Sequence, residues 1–368
     1  MPPEFFDRRR LKFRPLSERK NKVDIERDHV AADSAPAALS DVATSGVAET
    51  AERLKRARDT GAARILAFGA HTIKNGLSPV LIRLIEEGWV THLATNGAGI
   101  IHDWEFAYLG ESSEDVRENL ATGAFGAWEE TGFYLNLAIN LGAFDGLGYG
   151  ESVGRMIQEE VLSIPSEETL ERAMREGRTG EGGRAAAAAD LLEVVADFGI
   201  DPGPMAVAHP FKRFSIQAAA YRLGIPFTGH PMFGHDIIYE HPMSRGASIG
   251  RCAERDFLCF ATSVSQLEGG VYLSVGSAVM SPMIFEKALS MARNAARRDG
   301  SVVEDIHISV VDLAESTWDW SRGEPPEDDP AYYLRFNKTF SRAGGTLQYV
   351  QANNRDFLLA LYRAVSGS

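Results

Sequence analysis

The stretch Ile65 to Trp104, ILAFGAHTIKNGLSPVLIRLIEEGWVTHLATNGAGIIHDW, decides the fold. Ile65-Leu-Ala-Phe68 is a short apolar run, Val90 to Ala94 is another, and both read as buried strands. Between them Ser78 and Pro79 stand where an N-cap and a first helical residue belong. Leu81, Leu84 and Ile85 share one helical face, and Gly88 closes the helix. Strand, crossover helix and strand form the unit of a parallel sheet, whose ligands lie beyond the carboxyl ends of the strands. Two loops are expected there. Ala70-His-Thr-Ile-Lys-Asn-Gly76 offers polar side chains, and Thr95-Asn-Gly-Ala-Gly99 offers bare backbone to a phosphate or nucleotide. Neither is a GxGxxG or a Walker loop.

The alternation extends in both directions. Ser40 to Thr60 is an amphipathic helix feeding the first strand, and Asp103 to Leu109 continues as helix beyond the glycine loop. Ser112 to Asp115 caps a further helix, and Phe133 to Leu141 and Arg155 to Leu162 are helical. Residues 163 to 184 are polar and glycine-rich, which suggests a mobile surface excursion before the alanine-rich helix Ala185 to Phe198. Pro204 to Ala208, Ile225 to Thr228, Gly270 to Val275 and Ile306 to Val311 follow as strands, separated by helices at Ser215 to Leu223, Phe257 to Leu267 and Met283 to Arg297. At least five such units predict an α/β fold with a doubly wound, mostly parallel, Rossmann-like sheet. Residues 1–40 lack periodicity and are expected to form an extended arm, or one packed on a neighbouring subunit. Residues 41–368 are expected to form a single catalytic domain.

A net charge of −13 over 368 residues argues against a nucleic-acid partner and fits a cationic substrate. Cys252 and Cys259, the two cysteines present, match no zinc or redox spacing and suggest a reducing compartment. No membrane-length apolar run occurs and the first twenty residues are too charged for a signal peptide, so a cytoplasmic location is expected.

Two constellations carry candidate chemistry. His71, His102, His209, His230, His235 and His241 all fall in segments placed after strands, where they would converge as a metal site, a general base or anion contacts; no HExxH-like spacing accompanies them. The ordinary alternative is that most of them cap loops. In the segment Trp318 to Val350, Tyr332, Tyr333, Phe336 and Phe340 surround Lys338 among several acids, a composition suited to an organic cation. Burial by these rings would lower the lysine pKa, as an amine nucleophile requires, whereas an ordinary surface lysine beside a packed aromatic strand is the plain alternative.

Val90-Thr-His-Leu-Ala-Thr-Asn-Gly-Ala-Gly-Ile-Ile-His-Asp103 resembles the deoxyhypusine synthase segment VDVLVTTAGGVEED. Tyr221 to Pro226 is similar to that family's AxxxxIP strand, and Asp236-Ile-Ile-Tyr-Glu-His241 to its DMIFFH element. Lys338 matches the catalytic lysine of SWGK, and eleven residues on, Tyr349 matches the tyrosine of VYAD. The resemblance runs collinearly over roughly residues 60 to 365. It implies a Rossmann-like NAD-binding fold assembled as a homotetramer with shared active sites. It also implies NAD-dependent transfer of an aminoalkyl group from a polyamine such as spermidine, through a lysine imine, to an acceptor amine. The departures are specific. The family's paired glutamates are Ile101 and His102, leaving Asp103; its tryptophan is Phe336, a pocket glutamate is Tyr332, and the aspartate of VYAD is Gln351. Each exchange removes a carboxylate or reshapes a pocket that a polycation would need.

The resemblance therefore implies Lys338, His241 and Asp236 as catalytic residues. His71, Asn75, Thr95, Asn96, Gly97, Gly99 and Gln351 would hold NAD, and Asp103, His102, Tyr332 and Phe336 would hold a polyamine or another small amine. The alternatives are a metal-assisted hydrolase or lyase built on the histidines, or a non-catalytic NAD or polyamine binding protein.

Overall fold

A computed structural model describes residues 3–177 and 182–367. Ten strands are present: β1 Asn21–Asp24, β2 Arg64–Phe68, β3 His92–Asn96, β4 Glu111–Glu114, β5 Val161–Ile164, β6 Gly203–Ala206, β7 Phe227–His230, β8 Gly270–Val275, β9 Ile306–Asp312 and β10 Thr346–Gln351. Six of them form one sheet in the order β10-β9-β8-β2-β3-β7, every pair parallel. Counted along the chain these are strands 6-5-4-1-2-3, the doubly wound Rossmann order, with its reversal between β2 and β8.

The reason lies in the two-sided burial of β2. Leu66 and Phe68 enter a core shared with the helices Asp41–Thr60, Ser78–Glu86, Gly97–Leu109 and Asn354–Ser366. Ile65 and Ala67 enter a second core shared with Gly246–Val264 and Met280–Asp299. A strand apolar on both faces is stable only between two helical layers, which is why its sequence is a run and not an alternation.

Several expected elements differ. Pro204 to Ala208 is not in the central sheet: β6 pairs antiparallel with β5, half-buried and exposed in alternation, and its proline supplies no N–H to a ladder. The expected polar excursion carries β5 and the helix Glu167–Glu176, capped by Ser166; its residues 178–181 lie outside those described. Ser112-Ser-Glu114 is strand, not cap, and only Asp115 caps the helix Val116–Thr122. Around Lys338 the chain is helical, Arg335–Arg342, where an aromatic strand was the alternative.

Parts of the expected arm pack on the rest of this chain. β1 pairs antiparallel with β4, and Leu16 and Ile25 are fully buried. Arg19 donates two 2.7 Å bonds to Glu105 at side-chain exposures of 2% and 1%. Removing one partner of such a pair strands a buried charge. Arg19→Met should therefore destabilise the protein by about 3–5 kcal/mol in urea unfolding, and Arg19→Met/Glu105→Gln by clearly less, because no buried charge remains unpaired.

Candidate functional site

The reversal between β2 and β8 is the place where a doubly wound sheet takes its ligand, in the crevice beyond the two carboxyl ends. Its floor is bare backbone. Gly69 N donates to Val275 O at 3.1 Å, and a Cβ on Gly69 would stand 2.1 Å from Gly276 O. Gly276 has a φ of +59°, and a Cβ there would meet Asn354 Nδ2, which itself donates to Thr72 Oγ1 at 3.0 Å. The helix Met280–Asp299 begins beside this floor with no side-chain cap on Val279, and Ser281 N is held by Ser277 Oγ at 3.2 Å. His71 and Asn75 are exposed on the β2 side of the crevice.

Next to it, beyond the end of β3, lies a cavity of ≈170 Å³ bounded by Lys74, Ala98, His102, Ser113, Glu114 and Asp236. Asp236 comes from the loop after β7 and lies against the start of the helix Gly97–Leu109: a Cβ on Gly97 would stand 2.3 Å from Asp236 Oδ2. That contact explains the glycine. Burial raises the Asp236 pKa to about 6, with Tyr239 Oη donating to Oδ2 at 3.2 Å and working against the rise. Glu240, raised to about 7 by burial and by Glu114, adds a second acid of reduced charge near this wall.

The arrangement of His102 is set by a chain of bonds. Ser112 Oγ donates its one hydrogen to Glu105 Oε2 at 2.6 Å, and Ser112 Oγ also lies 2.7 Å from His102 Nδ1. With that hydrogen spent, Nδ1 must be the donor, so a neutral His102 carries its free lone pair on Nε2. Arg19 and Thr131 hold the other side of Glu105, and its pKa is depressed: burial opposes ionisation, but the Arg19 charge and the His102 and Arg19 bonds outweigh it. Ser113, beside this chain, is buried with φ +73° and its Oγ meets no partner among the described residues. A non-glycine residue held in the left-handed region, with an unsatisfied hydroxyl on a cavity wall, is a strained position of the kind found at ligand sites.

The expected residues divide. His71, His102 and His235 gather near the cavity. His230 is in the core, Nε2 3.0 Å from Thr228 Oγ1, and His209 packs against Trp104 and Tyr108. His241 is also removed from the cavity. It stacks on Phe198, stands edge-on to Phe13 and accepts from Met243 N, and burial pushes its pKa down to about 4. Among the described residues no group of three or more His, Cys, Asp or Glu is placed to hold a metal ion.

Asp103 is no anchor for a cation. Fully buried, it accepts from Ser215 Oγ, Ile216 N, Gln217 N and Gln217 Nε2, closing the start of the helix Ile216–Leu223. The expected loop Thr95 to Gly99 is the end of β3 and the first turn of a helix: Thr95 Oγ1 donates to Phe68 O, and Asn96 caps Gly99 N. These two residues and Gly99 hold backbone in place, and only Gly97 faces the Asp236 contact.

Lys338 stands beside β10, the opposite sheet edge from β7, five strand intervals or roughly 24 Å away. Its Nζ lies 2.9 Å from Glu324 Oε1 and 3.2 Å from the centre of the Tyr332 ring. Burial would lower its pKa, but Glu324 and Tyr332 outweigh burial and the direction is upward, opposite to the expected activation. Phe336 packs near Tyr349, 6.5 Å between ring centres, and Gln351 is exposed at the end of β10.

Ser112, Ser113, Glu105, Arg19 and Lys74 were absent from the expected site. Ser113 had no local signal, since a left-handed backbone at serine is imposed by the β1–β4 pairing around it. The E-x-x-x-x-x-x-S spacing of Glu105 and Ser112 gains meaning only when the chain turns back at Gly110, φ +81°.

No known family model matches this chain, and no curated protein sequence matches it. Solved structures share partial likeness. An arginine dihydrolase of the ornithine-ammonia cycle in cyanobacteria, ArgZ, aligns at 14% identity and a TM-score of 0.42 over 87% of this chain and 32% of its own. AgrE, solved in a ternary complex with ornithine and NAD+, aligns at 15% and 0.44 over 90% and 34%. This chain thus spans about a third of the length of those two proteins. A putative deoxyhypusine synthase from Entamoeba histolytica aligns at 10% identity and 0.39 over 89% of each chain.

Proposed function

We propose that this chain is an NAD-dependent enzyme that oxidises a small amine in the cavity beyond β3. The observation that carries the reading is the Glu105–Ser112–His102 chain, which makes Nδ1 the donor and so leaves Nε2 as the basic nitrogen of a neutral ring on the cavity wall. The crevice between β2 and β8 suits a dinucleotide. Its floor is glycine backbone at Gly69 and Gly276, which lets a dinucleotide approach the main chain closely. NAD held there would supply the hydride acceptor.

The chain's own groups supply the rest. Asp236 and Glu114 attract the substrate ammonium into a wall of low polarity. His102 Nε2 takes the proton from that nitrogen, so that the free amine can release hydride from its adjacent carbon and become an imine; water then yields the carbonyl and ammonia. Lys74 is the cation on the same wall, suited to a carboxylate on the substrate or to an imine with the carbonyl product. Aminoalkyl transfer through Lys338, the finer reading that the resemblance implies, requires that lysine to meet the amine from the far sheet edge, and the base at His102 needs no such step.

NAD should stabilise the protein by mass action, by about 2.7 kcal/mol at a hundredfold excess over Kd, and the absence of any thermal shift at millimolar NAD overturns the proposal. His102→Gln should lower turnover about 10²–10⁴-fold while leaving that NAD shift intact. Trapping with borohydride in the presence of NAD and candidate amines separates the lysines: an adduct on Lys338 restores the transferase reading, and one on Lys74 supports the cavity.

Asp236 gives a stability test. Its folded pKa, about 6, exceeds its ordinary value of 3.8 because of burial, so its stabilising contribution is complete below pH 3.8 and is lost as pH rises through 6. The stability of the wild type relative to Asp236→Asn should fall by at most about 1.4 kcal/mol per pH unit across that window and stay level above it. Urea unfolding at a series of pH values measures this, and a flat difference places Asp236 in water.

A further inference from the structure

A larger cavity, ≈410 Å³, lies at the other end of β7, between the start of the helix Tyr149–Glu159, the turn at Gly224 to Pro226 and the helix Gly246–Val264. Its size falls within the range of ligand pockets. Two charged side chains on its wall, Arg255 and Glu151, form no ion pair among the described residues.

Arg255 is half-buried, and its guanidinium is oriented by Nη1 bonds to Ala143 O at 3.1 Å and Leu147 O at 3.4 Å. It has no carboxylate partner among the described residues. Glu151, on the facing helix, is exposed and likewise makes no ion pair there. Gln217, on the same wall, is 1% exposed, and its side-chain amide is turned into the core, with Nε2 committed to Ile100 O and Asp103. An oriented cation and a free carboxylate around one cavity ask for a ligand with an anionic end and a cationic, donor-bearing end.

We propose that this cavity binds a free amino acid, its carboxylate on Arg255 and its ammonium on Glu151. The site is separate from the cavity beyond β3 and is connected to it through β7. Asp256, lining the same wall, accepts from Gly150 N at 3.0 Å and from Gly229 N at 2.7 Å, within the strand whose following loop carries Asp236. A Cβ on Gly148 would stand 1.8 Å from Asp256 Oδ1, so the ligand wall and β7 are locked together.

Cys259 provides the readout, because it is exposed on this wall while Cys252, the other cysteine, is buried. Alkylation of Cys259 by N-ethylmaleimide would be timed by mass spectrometry with each standard L-amino acid except cysteine, whose thiol consumes the reagent, and with acetate and methylamine as half-ligands. At least one amino acid should slow the reaction several-fold and saturably at millimolar concentration. Glu151→Gln, a surface change, should weaken that protection, as should Arg255→Lys, which keeps the charge but loses the fork. Asp236→Asn should leave it intact. No protection by any amino acid, equal protection by acetate alone, or protection abolished by Asp236→Asn would each overturn the proposal, the last by placing the ligand in the other cavity.

Discussion

The buried pair of Arg19 and Glu105 is the constraint on which the site depends. A carboxylate in the core is tolerated only with its charge matched and its lone pairs occupied. Glu105 satisfies this by drawing in four separate segments: the N-terminal stretch through Arg19, β4 through Ser112, the helix Glu129–Asp145 through Thr131, and its own helix through His102. The same bonds that neutralise Glu105 orient the His102 ring. The polar network therefore makes Nδ1 the donor of the candidate base and fastens the stretch around Arg19 to the helix Gly97–Leu109.

Buried carboxylates recur as long-range helix caps. Asp103 closes the helix Ile216–Leu223, and Asp256 closes Tyr149–Glu159, whose own preceding residue is a glycine without a side-chain cap. Asp236 lies against Gly97 at the start of Gly97–Leu109. A helix start buried in a core needs acceptors for its free N–H groups, and a carboxylate there also gains from the helix dipole. The three differ in what else they meet. Asp103 is enclosed by five donors and is spent on structure, whereas Asp236 has one donor side chain and a cavity beside it, which leaves its charge available for a ligand.

The distribution of the histidines follows from the same physics. Their shared position after strands suggested convergence, but an imidazole is also a flat, partly apolar ring. His209 stands edge-on to Trp104 and Tyr108 and His241 stacks on Phe198, while His92 and His230 share Thr228 Oγ1 in the core, where burial pushes both pKa values to about 3. His102 is distinguished by its partner Ser112, not by its place in the chain.

By itself the sequence determined five of the six central strands, all but β10, and the crossover helices between them, and hence the doubly wound character of the sheet. Apolar runs such as Ile65 to Phe68 and Gly270 to Val275, and helix signals such as Ser40 and Pro79, act through neighbours a few residues away. It also marked the end of β3 and the Asp236 loop as places where chemistry could sit. Only the tertiary structure decided that Gly203 to Ala206 leaves the sheet, that Asp103 caps a helix, that Lys338 stands at the far edge with Glu324, and that Ser113 is held strained on a cavity wall. The reason is that hydrophobic periodicity is a local property, written into three- and four-residue spacings. The role of a polar side chain is fixed by whichever donor or acceptor arrives from elsewhere: for Asp103 that is Ser215, and for Glu105 it is Arg19.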